Sequence, residues 1–122
     1  IASGGGVDPD VEALRTIMKD GTWYVSQFLD DGIDETSDFS GYDFTFIEAI
    51  RVYARNGTSN IYGTWIVTLS ADELNFEFDM DSPLNGADDD EYKVIDYNDT
   101  LITFVTRDSN GNIEDTLIFR KN

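Results

Sequence analysis

The chain contains neither cysteine nor histidine among its 122 residues, and it sets only 8 lysines and arginines against 25 aspartates and glutamates. Without cysteine there is no disulfide framework and no thiolate metal centre. Without histidine the usual general base near neutral pH is missing. So are the commonest transition-metal ligand and the Ser-His and Cys-His nucleophile pairs. A formal net charge of −17 repels phosphate backbones and anionic headgroups across a Debye length of about 10 Å at moderate salt. Nucleic acid is therefore not an expected partner, nor is a membrane surface gripped through basic patches. No run approaches the roughly 20 apolar residues that a membrane-spanning helix needs.

What the chain does have is apolar and aromatic substance. At 40% hydrophobic and 13% aromatic it is too apolar for a disordered chain, despite its charge. A chain of this length folds as one domain that buries roughly two thirds of its unfolded surface. Its opening stretch, with Ser3, Gly4, Gly5 and Gly6 in a row, has tether composition and cannot build a core. The expected division is a flexible tether over residues 1–9 and a single barrel domain over 10–122.

Val11, Leu14, Ile17 and Met18 fall on one face of a short helix over Pro9–Lys19, with Asp8 as its cap and Asp20-Gly21 as its stop. Beyond Gly21 everything reads as strand. Leu74, Phe76 and Phe78 alternate with Glu73, Asn75, Glu77 and Asp79, the period of two of a sheet with one buried face. Tyr42, Phe44 and Phe46 alternate in the same way, as do Ile50, Val52 and Ala54. Five further segments, 22–29, 61–70, 92–97, 101–107 and 113–120, are rich in β-branched and aromatic residues. Short turn signals, Asn56-Gly57, Ala71-Asp72, Asn98-Asp99 and Asn110-Gly111, make neighbours antiparallel. The fold class is all-β: an eight-stranded antiparallel up-and-down barrel behind a short N-terminal helix. A sandwich competes with it, because the 30–41 and 79–91 connections are long enough for crossovers.

Gly21-Thr22-Trp23 opens the first strand directly after the helix, and here the chain resembles the lipocalin superfamily, whose first strand carries Gly-x-Trp. The resemblance implies a lipocalin-like barrel in which an arginine of the last strand, matched by Arg120, packs across Trp23; a cation over an indole is worth roughly 0.5–2 kcal/mol. Gly21, Trp23 and Arg120 are thus its structural signature. Asp96-Tyr97 matches part of that family's Thr-Asp-x-x-Tyr motif, with Ile95 where threonine belongs. The chain is also similar to short lipocalin-like domains of predicted lipoproteins of Gram-negative bacteria. The matching features are the Gly/Ser tether, Gly21-Thr22-Trp23, Asp31-Gly32 with Asp34, Phe44-Thr45-Phe46 and Gly63-Thr64-Trp65. That similarity spans about residues 11–120. It implies an envelope or secreted location, periplasmic or outer-membrane-anchored, with membrane attachment only through a lipid anchor absent from this chain. One departure is Ile47-Glu48-Ala49-Ile50, which lacks the Asn-Gly or Asp-Gly of a tight turn.

Two acidic loops stand out, one carrying Asp30, Asp31, Asp34, Glu35 and Asp38, the other Asp79, Asp81, Asp88, Asp89, Asp90 and Glu91. Asp30, Asp34, Asp88 and Asp90 are candidate calcium ligands, since calcium takes six to eight hard oxygens; a solvated acidic rim is the other reading. The EF-hand spacing fails, with Leu84 where glycine belongs. Carboxylate pairs capable of glycoside hydrolysis are inevitable among so many acids and so point to nothing. No enzyme activity and no cofactor are expected. Asn56-Gly57-Thr58 and Asn98-Asp99-Thr100 fit the glycosylation pattern, yet both fall where a turn itself demands asparagine.

The expected function is a non-catalytic binding module. Its ligand-binding candidates are the inward rings Phe44, Phe46, Trp65, Phe76 and Phe78, which either line a site for a small apolar or amphipathic ligand or fill the barrel. The alternative is a surface interaction protein that engages protein or glycan through the acidic loops, with Tyr42, Tyr53, Tyr62 and Tyr92 as contacts. Nothing in the sequence sets the oligomeric state.

Overall fold

The computed structural model describes residues 9–48, 50–87 and 89–122; the expected tether, all but Pro9, and the Asp8 cap lie outside them. Pro9–Lys19 form the helix α1. Leu14 and Met18 are fully buried, and Val11 and Ile17 pack at the margin of the core. Asp10 and Glu12 stand in the first turn and Lys19 in the last, each sign favoured at its end of the helix dipole. Gly21 follows at φ +75°, a left-handed conformation that costs glycine nothing and turns the chain into the first strand.

The strands are β1 (Trp23–Asp30), the two-residue β2 (Ile33–Asp34), β3 (Asp43–Ile47), β4 (Arg51–Asn56), β5 (Ser59–Ser70), β6 (Glu73–Met80), β7 (Asp89–Tyr97), β8 (Leu101–Arg107) and β9 (Ile113–Lys121). From β3 onward each pairs antiparallel with the next in chain order, and β1 pairs with both β3 and β9. The sheet is thus a closed eight-stranded barrel, with β2 folded back on the end of β1, and the sandwich is excluded. Closure removes the edges on which another chain would pair. β1 and β9 are paired along most of β1, where Val25 faces Phe119 and Phe28 faces Leu117. The loosest seam is β1 with β3, paired only at Trp23 and Phe44. Above that point the loop takes over: Phe28 donates its N–H to Thr36 Oγ1 at 2.9 Å, and its carbonyl accepts the N–H of Glu35 at 2.9 Å.

Strict alternation along β1 would carry Trp23 and Val25 inward and then Gln27. A β-bulge between Val25 and Gln27 shifts the register, so that Phe28, 1% exposed, enters the core instead. β7 carries a like irregularity between Val94 and Asp96. Both ends of the barrel are plugged. α1 closes the end where β1 begins, with Leu14 and Met18 inside. At the other end Phe39, Leu84 and Ala87 are buried from the two long loops, and Tyr92 donates its hydroxyl to the carbonyl of Ala87.

Ile50, read above as the first residue of a strand, lies instead in the β3–β4 turn with φ +58°, exposed at 45%. The left-handed region is a genuine outlier for a β-branched residue. It arises because the turn has no glycine or asparagine to take that conformation.

Gly63 on β5 sits where a Cβ would overlap the carbonyl oxygen of Asp79 and the backbone of Met80. Gly63→Ala is expected to destabilise the barrel by about 1–3 kcal/mol, the range for overpacked sites. Gly86→Ala, with open space around its Cβ, should stay within about 0.5 kcal/mol of the parent. Urea denaturation midpoints of the two variants check the difference.

Candidate functional site

The five inward rings named from the sequence are all brought together. Phe44, Phe46, Trp65, Phe76 and Phe78 are each at most 1% exposed. Phe46 lies 5.3 Å from Trp65, edge to face, and Phe76 stacks on Phe78 at 5.5 Å and on Phe104 at 4.2 Å. Phe119 stands at their centre, within 5.3–6.1 Å of Phe44, Phe46, Phe78 and Phe104. Offset and edge-to-face contacts at these distances are what packed aromatic cores make. The clefts described on the molecule are lined by other residues, on the outer surface and beside the helix.

At the helix end the two tryptophans are held by the same device. Trp23 Nε1 donates to the carbonyl of Met18 at 3.0 Å, tying α1 to β1, and Lys121 Nζ lies 4.9 Å from the centre of its ring. Trp65 Nε1 donates to the carbonyl of Ile47 at 3.1 Å, and the guanidinium of Arg15 lies 4.9 Å from its ring. The cation over Trp23 is therefore Lys121 and not Arg120, which the resemblance put there. Phe119 faces the core, so the next residue points out: Arg120 is exposed, paired across the strand with Tyr24. Lys121 returns to the inner side and also pairs with Asp20 at 3.1 Å. Gly21 lies against its aliphatic stem.

Among the described residues no three acidic side chains are grouped to hold an ion. Asp34 is engaged by Thr36, accepting its hydroxyl at 2.6 Å and its N–H at 3.0 Å; these bonds, the side-chain one foremost, hold its carboxyl below the ordinary value. Asp30 is raised above its ordinary 3.8, first by desolvation and then by the charge of Asp115. Asp115 itself accepts the N–H of Asp31 at 2.9 Å and the hydroxyl of Thr106 at 3.0 Å. Asp88 and the side chain of Asp90 lie outside the described residues. Asn98 is occupied by its turn, its Oδ1 accepting the N–H groups of Thr100 and Leu101 and the Thr100 hydroxyl.

The four tyrosines divide. Tyr92 is buried, and Tyr42 packs partly against the core. Tyr53 and Tyr62 face each other across β4 and β5 with ring centres 6.4 Å apart, on the outer surface. They border a cleft of about 410 Å³ with Ile47, Ile50, Arg51 and Thr64. Tyr62 is 59% exposed, Ile47 39% and Ile66 36%. Of this outer face the sequence singled out Tyr53 and Tyr62, as contacts of a surface interaction protein; Ile47, Ile50 and Arg51 beside them were not named as contacts.

No family model matches this chain, and no curated protein matches it. Among solved structures it is similar to a DUF4847-family protein from Bacteroides vulgatus. The TM-score is 0.53 at 16% identity, over 89% of this chain and 97% of that one. The likeness is one of fold.

Two measurements follow from this geometry. In a double-mutant cycle, Trp23→Ala should cost about 3–5 kcal/mol and Lys121→Ala about 1. Their sum should overshoot the double mutant by roughly 0.5 kcal/mol or more, while Arg120→Ala stays near zero. Asp30 gives a pH signature. A carboxyl whose folded pKa is raised makes the fold less stable at pH above that pKa, and the deficit vanishes as pH falls below the unfolded value. Asp30→Asn should accordingly raise the melting temperature at pH 7, with the gain gone near pH 3. An equal gain at both pH values would show that the charge is not its source.

Proposed function

We propose that this chain is a non-catalytic binding module of the cell envelope that recognises a protein partner on the outer face of β3, β4 and β5. The observation that carries the reading is the cluster of Tyr53, Tyr62, Ile47 and Ile50 around a surface cleft, in a molecule whose inward rings pack against one another. A small apolar ligand held among Phe44, Phe46, Trp65, Phe76 and Phe78 would have to displace rings already in contact. A partner on the outer face displaces only water. Tyrosine and arginine with an apolar centre are the composition of interface hot spots. The absence of histidine and cysteine supports binding over catalysis. The envelope location rests on the Gly/Ser-rich opening and the resemblance it carries.

Photocrosslinking tests the face directly. With p-benzoylphenylalanine at position 62, a discrete adduct is expected in cells producing the protein. The same group at Glu114, exposed elsewhere on the barrel, should give none. Adducts of equal yield at both positions, or none at 62, would remove the basis for this surface.

A further inference from the structure

The outer surface of β4 and β5 continues onto β6, and across these three strands the charges lie in rows. Arg51, Tyr53 and Arg55 point outward from β4, Asn60, Tyr62, Thr64 and Ile66 from β5, and Glu77 and Asp79 from β6. Register sets Arg51 opposite Thr64, and Thr64 opposite Asp79. One rung thus runs from a cation through a neutral residue to an anion. Its two charged ends are two strand spacings apart, about 10 Å, too far to pair with each other. Among the described residues Arg51 has no salt bridge, although the chain offers 25 carboxylates.

A basic row, an uncharged row and an acidic row side by side are complementary to themselves. Turn a second copy by 180° about an axis lying along β5 and it places its β6 over the first copy's β4. Each Arg51 then faces Asp79 of the second copy at the same level of the strand. Tyr62 and Ile66 meet their counterparts near the axis. This is the condition for an isologous two-fold interface, in which one patch serves both sides.

Resting on the outer-face reading above, we infer that the partner is a second copy of this chain, docked β5 to β5 with Arg51 and Asp79 paired across the two-fold. The stripe is three strands wide and about five residues long, on the order of 15 by 17 Å, well below the ~800 Å² per partner of a standard interface. Two copies of charge −17 also repel. The dimer is therefore weak, with a dissociation constant on the order of 100 μM at 0.15 M salt, where a Debye length of about 8 Å screens the whole-molecule charge but not contact pairs.

Sedimentation equilibrium of the purified chain from about 10 to 1,000 μM tests this, with Arg51→Glu, Asp79→Arg and the double reversal. Repulsion between whole molecules predicts opposite effects, since Asp79→Arg makes the chain less negative and Arg51→Glu more so. Pairing across the axis predicts that each single reversal weakens the dimer about tenfold or more and that the double restores it to within about threefold. Tyr62→Ala should weaken it as well. A chain that stays monomeric at about 1,000 μM overturns the inference, as does a dimer that ignores both reversals. If the adduct at position 62 has the mass of a different protein and the purified chain is monomeric, the second copy is lost while the outer-face reading stands. If position 62 gives no adduct and the chain is monomeric, both fall.

Discussion

Everything in this molecule depends on the ring of Phe119. It sits on the last strand, pairs through its backbone with Val25 of the first, and touches rings from β3, β6 and β8. Barrel closure is a non-local event, since β1 and β9 are separated by nearly the whole chain, and the entropy of that closure must be offset by contacts made at the same moment. A ring shared by strands from both halves supplies them where the seam forms. The loose β1–β3 seam is affordable because Phe39 enters beside it, edge-on to Phe28 at 5.5 Å.

The helix and the eight barrel strands were legible in the sequence from alternation or from β-branched and aromatic content, and most of their ends from turn signals; the β3–β4 turn carries no such signal, and there the boundary slipped at Ile50. What could not be read was anything that depends on parity between strands. Alternation along β1 gives no notice of the bulge that moves Phe28 inward and Gln27 out. The same one-residue sensitivity separates Arg120 from Lys121: on a period of two, neighbouring residues point to opposite faces, and only the partner strand decides which faces in. Phe39 and Leu84 were not read as core because a single apolar residue in a polar loop has no period. Of the candidate site, the inward rings were legible as a cluster, and of the outer face only Tyr53 and Tyr62 were, among four tyrosines, without the isoleucines beside them. Exposed isoleucines on a strand look the same in sequence as buried ones until the register is known.

Charge distributes itself in a way that composition alone does not convey. All three lysines pair with carboxylates: Lys19 with Glu48, Lys93 with Glu73 and Glu91, and Lys121 with Asp20. Two of these tie the helix region to the barrel. Lys19 holds the Glu48 carboxyl below its ordinary value by hydrogen bond and charge, so this tether is present above the usual carboxylate range and is lost as acid protonates it. Exposed pairs of this kind each contribute little. Their value here is geometric, since both pin α1 over the end of the barrel that it closes.

The arginines behave differently, and the contrast is what directs attention outward. Arg15 is spent on Trp65, Arg55 and Arg107 reach turn carbonyls, and Arg51 stands beside an apolar cleft. In a chain with so large an excess of acid, the simplest way to use a guanidinium is to pair it locally, and the lysines do so. A guanidinium presents a planar fork suited to carboxylates and aromatic faces, and burying it unpaired beside isoleucines would be costly. At a surface it costs nothing until something covers it. Whatever covers the face of β4 and β5 must then bring a carboxylate to Arg51 or leave a charge stranded. That requirement selects among partners more sharply than the apolar contact beside it, which any greasy surface would satisfy.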